Sequence, residues 1–164
     1  MKKLLSFALV ACAALFVSTG CGGAPQLEGL EKYSGVITLD GEPLADASIN
    51  LIPSTMELKA SGAVSDEKGR FVLQTLQAGD GVMPGDYRVT VIKTHMEDAY
   101  TPEEQKIFDE AGGKRHADVF PDRPEPTSVS DIPEYYGVAD MSGLTLSLPE
   151  GGSKELKIEL SSEE

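Results

Sequence analysis

The sequence predicts an all-β domain, a β-sandwich of about seven short strands. Two observations carry this expectation. Apolar and polar residues alternate with a period of two in several short runs, as where Leu144, Leu146 and Leu148 are separated by Thr145 and Ser147. Turn formers stand between the runs: Asp40-Gly41, Asp66-Glu67-Lys68-Gly69, Pro84-Gly85 and Glu150-Gly151-Gly152-Ser153. The apolar fraction, 40% of 164 residues, suffices for one core and is too high for simple disorder.

The chain opens on residues that read as an address. Met1-Lys2-Lys3 is basic, residues 4–17 run apolar without a charge, and Ser18-Thr19-Gly20 are small. This is the layout of a secretory signal, short for a membrane span and lacking stop-transfer charges. Residues 1–20 are therefore expected to be removed. Residues 21–32, with Gly22-Gly23-Ala24-Pro25-Gln26, are expected to form a flexible tether, 33–161 the domain, and 162–164 a tail. Loss of Lys2 and Lys3 takes the formal charge from −13 to −15. Such a balance argues against nucleic acid or anionic lipid held by basic residues. Of the two cysteines, Cys12 leaves with the signal, so the mature chain has no intrachain disulfide.

The strands are expected in order at 33–39, 47–52, 61–65, 70–75, 87–92, 144–148 and 156–160, all antiparallel. Asp40-Gly41 favours positive φ after the first, and Gly69 suits a left-handed position after the third. Residues 94–131 break the rhythm and are expected to be an irregular insertion on the rim. Within it, Thr101-Pro102-Glu103-Glu104 resembles a capping box with Pro at the first helical position. A short helix follows, with Ile107, Phe108 and Ala111 on one apolar face and Gly112-Gly113 at its end. Pro121, Pro124 and Pro126 then favour an extended path.

Two resemblances bear on function. Ser18-Thr19-Gly20-Cys21 resembles the lipobox of bacterial lipoproteins, with Ser18 where Leu is commonest. That likeness implies cleavage between Gly20 and Cys21, diacylglyceryl transfer to the Cys21 thiol, and acylation of the new amino group. Leu9-Val10-Ala11-Cys12 fits the pattern better but leaves a short apolar region before it. The runs 34–47, from Ser34-Gly35-Val36-Ile37-Thr38 to Ala47, 65–71 (Ser65-Asp66-Glu67-Lys68-Gly69-Arg70-Phe71) and 84–89 (Pro84-Gly85-Asp86-Tyr87-Arg88-Val89) look like the carboxypeptidase regulatory-like, or transthyretin-like, domain. Ile132-Pro133-Glu134-Tyr135-Tyr136 followed by Ser142-Gly143-Leu144-Thr145 is similar to the end of many small envelope lipoproteins of this type. The resemblance implies a seven-stranded Greek key that is an accessory, not a catalytic, domain.

Candidate chemistry is sparse. His95 and His116 flank the insertion, with no HExxH pair and no free Cys to complete a zinc site. No G-x-S-x-G is present. The transthyretin-like hydrolases imply several His and Arg and a C-terminal Tyr-Arg-Gly-Ser, which this chain lacks. Asn50, the sole Asn, lies in the second strand and excludes a Lys–Asn crosslink at the last one. Tyr100, Tyr135 and Tyr136 could offer rings to a small ligand or a glycan. The expectation is a non-enzymatic, cofactor-free structural or protein-interaction module of the cell envelope. It would be held to a membrane by lipid on Cys21 and bind an envelope protein or glycan. The alternative is a small-ligand or carbohydrate-binding lipoprotein using residues 94–136.

Overall fold

Alternate residues of a strand face opposite ways, so each long run carries one apolar side to bury. The computed structural model describes residues 27–163 and is mostly β, with several sheets and two short helices. The signal, its cleavage point at Gly20 and Cys21, and the first half of the tether lie outside the described residues.

The strands are β1 (Tyr33–Leu39), β2 (Glu42–Pro43), β3 (Ser48–Pro53), β4 (Ser61–Val64), β5 (Arg70–Val72), β6 (Gly85–Ile92), β7 (Thr94–Glu97), β8 (Thr127–Ser130), β9 (Leu144–Leu148) and β10 (Ser153–Leu160). One four-stranded sheet runs β10-β1-β2, with β5 also on β1; the second runs β4-β3-β6-β9. All seven expected strands are present within these two sheets. Asp40 and Gly41 both have positive φ, 51° and 86°, and join β1 to β2 as a two-residue hairpin turn.

Three expectations are corrected. The two outermost strands in sequence, β1 and β10, pair in parallel rather than antiparallel. Alternation is the same in either pairing, and parallel neighbours need a long crossover, here everything between residues 40 and 152. The fourth run is shorter than 70–75. Leu73 N–H still bonds Tyr33 O, but Gln74 exchanges both backbone hydrogen bonds with Gly62 of β4, so the chain steps from one sheet to the other. The insertion is not free of strands: β7 and β8 pair with each other and carry α1 (Pro102–Glu110) and α2 (His116–Val119) between them. These ribbon strands have no buried apolar face to announce them: β7 is exposed throughout and no residue of β8 is buried.

Side chains from both four-stranded sheets meet in one apolar core. Ile37, Phe71 and Ile158 come from the first sheet, Leu51, Val89 and Leu146 from the second, and Tyr136 from a 3-10 turn at Glu134–Gly137. Each such side chain, withdrawn from water, contributes on the order of 1.5–3 kcal/mol. Buried Ser65 stitches the connection before β3, accepting from Ala47 N–H at 2.9 Å and donating to Leu44 O at 2.6 Å.

The registers define two poles. Tyr33 pairs with Ser153, Pro53 with Tyr87 and Gly85 with Leu148, which gathers the N-terminal lead-in and loops 54–60, 73–84 and 149–152 at one end. The arm built from residues 94–131 leaves from the other end, where Ile92 pairs with Ser48 and Leu39 pairs with Leu160.

Candidate functional site

The arm holds most of the candidate residues. Its ribbon starts at Thr94 opposite Ser130, and Asp131 N–H bonds Lys93 O at 2.9 Å. At this base His95 Nδ1 meets the Asp131 carboxylate on an exposed face. The capping box forms as its sequence requires. Thr101 Oγ1 accepts from Glu104 N–H, while the Glu104 carboxylate accepts from Thr101 N–H at 2.8 Å. Those bonds hold the Glu104 carboxyl below its ordinary range, with the nearby Arg123 guanidinium adding to the effect.

The helix does not bury the face expected of it. None of its residues is buried, and Ile107 is 52% exposed. Phe108 instead joins Tyr100, His116 and Phe120 in a cluster of four rings. Tyr100 lies 5.2 Å from Phe108, 5.6 Å from His116 and 5.4 Å from Phe120 between centroids. Arg123 covers the Tyr100 ring at 4.9 Å, pairs with Glu104 at 3.1 Å and donates to Ala99 O at 2.7 Å. This cluster is the arm's own small core.

His116 is 7% exposed and both ring nitrogens are engaged. Nε2 faces Arg123 O at 2.9 Å. A carbonyl only accepts, so Nε2 carries the proton and Nδ1 accepts from the Tyr100 hydroxyl. Neither nitrogen has a lone pair to spare for a substrate or a metal in this arrangement. Among the described residues no group of three His, Cys, Asp or Glu is placed to hold a metal ion.

The remaining tyrosines are elsewhere. Tyr136 is 7% exposed and part of the main core, its hydroxyl accepting from Ser161 N–H at 2.9 Å. Tyr135 is partly buried and packs against Tyr136 with the rings tilted by 45° and centroids 4.4 Å apart. The ring contacts thus fall into two groups, Tyr100 with the arm and Tyr135–Tyr136 with the two-sheet body.

Two concavities escape a reading by motifs. A cleft of about 210 Å³ opens where the ribbon leaves the body, lined by Ile92, Thr94, Ser128, Ser130, Pro133 and Gly137. An open groove of about 690 Å³ lies over the solvent side of β1 and β5, lined by Ser34, Val36, Val64, Arg70, Val72 and Lys154. Its valines come from three strands at outward positions, 39%, 65% and 54% exposed. Alternation marks such residues as exposed but does not show that they adjoin. Among the described residues no helix is long and apolar enough to cross a membrane. Comparison with known proteins returns no match: no family model, curated protein or solved structure corresponds to the chain.

Proposed function

We propose that the chain is a lipid-anchored, non-enzymatic protein of the cell envelope that acts as a structural or protein-interaction module. Its finer architecture on this reading is a seven-stranded Greek-key sandwich of the transthyretin-like kind, with the arm as its insertion. Cys21 carries the lipid, and partners are the membrane through that lipid and an envelope protein or glycan. No nucleic acid and no cofactor is involved. Several buried acyl methylenes at about 0.8 kcal/mol each make such an anchor stable.

The observation that carries this reading is the separation of lead-in and arm. The chain enters β1 at one pole, and the arm leaves the opposite one. An anchor at Cys21 therefore leaves the arm a strand length away from its attachment. The arm also has its own capped helix and ring cluster, which supports a preformed contact surface rather than a passive loop.

The test is a pull-down from envelope extract with the lipidated protein, intact and with residues 94–131 replaced by a short Gly-Ser link. The reading expects a specific partner retained by the intact protein and lost by the shortened one. A partner retained equally by both places the contact on the body. Binding of a sugar or small ligand that depends on Tyr100, without any protein partner, would instead favour the ligand-binding reading.

A further inference from the structure

We propose that the lead-in pole docks on the membrane that holds the Cys21 lipid, entering its interface with Met56 and Leu76. The proposal rests on the anchored reading and adds which face of the body the lipid meets. The described lead-in is bound to the body. Glu31 exchanges both backbone hydrogen bonds with Val82 at 2.9 Å, Lys32 O accepts from Ser153 N–H at 3.0 Å, and Lys32 Nζ donates to Gly79 O. Two glycines allow that passage: a Cβ at Gly81 would stand 2.4 Å from Glu31 O, and one at Gly152 2.5 Å from Lys32 O. From Cys21 to Leu27 there are only six residue steps, at most about 20 Å of chain. The attached body therefore stays in a shallow layer over the membrane, where weak contacts form at high effective concentration.

Two loops of this pole present apolar side chains. Met56, in loop 54–60, is fully exposed, and Leu76, in loop 73–84, is 57% exposed. The loops adjoin where Ser61 Oγ meets Thr75 Oγ1 at 2.9 Å. A loop enters a lipid interface at low cost only where its backbone groups are already satisfied. The Asp80 carboxylate meets that condition around Leu76, accepting from the N–H groups of Thr75, Leu76 and Gln77 at 2.7, 2.8 and 3.0 Å. The Thr75 hydroxyl donates to Gly81 O at 2.7 Å and closes the same turn. The charges of the pole do not attract an anionic surface, since Glu28, Glu57 and Glu150 outnumber Lys32 and Lys59 among its exposed side chains. The contact is therefore apolar and suits zwitterionic lipid. Two such side chains are too few to hold the protein from solution, so the docking depends on the anchor. The arm, with ten carboxylates against four Lys and Arg, leaves from the opposite pole and faces away from the lipid.

Residues 21–164 hold every described strand, helix and core side chain, and Cys21 is their only cysteine. Coupling that thiol to a maleimide lipid in phosphatidylcholine vesicles separates the result from lipidation in the cell, which fatty-acid labelling reads. The sequence has no Trp, so each Trp variant reports one position. On coupling, Met56→Trp and Leu76→Trp should each shift their emission to the blue, lose most of their quenching by iodide and be quenched by nitroxide-bearing lipid. Ile107→Trp on the arm, at a site 52% exposed, should emit as in the uncoupled protein. Adding Met56→Glu should return the Leu76→Trp reporter to water, because both loops share one contact. Iodide quenching that coupling leaves unchanged at position 56 or 76 would overturn the proposal. So would a blue shift without quenching by nitroxide lipid, which marks contact between copies, or equal lipid quenching at position 107. A Leu76→Trp signal indifferent to Met56→Glu would overturn it as well.

Discussion

The hydroxyl of Tyr136 closes on the backbone of Ser161, accepting its N–H at 2.9 Å and donating to its carbonyl at 3.3 Å. One side chain from the 3-10 turn thus ties down the residue that follows the last strand. Tyr136→Phe keeps the ring in the core and leaves both backbone groups without that partner. The expected cost is about 1–2 kcal/mol in urea unfolding, with faster amide exchange at Ser161. Unchanged stability and exchange would mean the hydroxyl is dispensable, as a solvent-facing ligand contact would be.

Gly35 marks the closest approach of β1 to β10. A Cβ there would stand 2.2 Å from the carbonyl oxygen of Leu156, and the register shifts between Tyr33 and Gly35. Since backbone cannot yield as a flexible side chain does, Gly35→Ala should cost about 3 kcal/mol or more, at the upper end of overpacking. Gly41→Ala is the control. It has no neighbour within 4 Å and carries only the strain of φ +86°, about 1–2 kcal/mol. Chemical denaturation of both variants distinguishes the two causes.

Asp66 organises the turn from β4 to β5. Its carboxylate pairs with the Arg70 side chain and accepts from the N–H groups of Arg70 and Lys68, both at 2.9 Å. These bonds, led by that of the Arg70 side chain, lower its pKa from 3.8 to about 2. The folded state therefore holds the proton less tightly than the unfolded chain. The resulting stability is present above about 3.8 and disappears as pH falls toward 2. Asp66→Asn should lower stability at neutral pH and flatten its slope across that window, as read by thermal melts at a series of pH values. An unchanged slope would assign the acid sensitivity to other carboxylates.

The arm should open independently of the body. Among the described residues β7 and β8 pair only with each other, and α1 buries no residue. Phe108→Ala removes one of the four rings and should abolish amide protection across 102–119 while leaving that of β6 intact. Joint loss of protection in both regions would mean that the arm and the body form one cooperative unit.

The strands of the body were legible because half of each is buried: Tyr87, Val89 and Val91 point inward while Arg88 points out. The turn at Asp40-Gly41 and the cap at Thr101 were legible because their chemistry is local. The parallel pairing of β1 with β10 was not, since period-two alternation carries no direction. Nor was the ring cluster. Tyr100, Phe108, His116 and Phe120 share no single helical or strand period, and only the fold of the arm brings them together. The expected apolar face of α1 put Ile107 beside Phe108, but the cluster needs Phe108 alone and leaves Ile107 in solvent.

The central claim is attachment through Cys21, and metabolic labelling with a clickable fatty acid tests it most directly. The full chain should take up label and fractionate with membranes, while Cys21→Ala should be unlabelled and leave the membrane fraction. A wild type that is unlabelled and soluble would contradict the account.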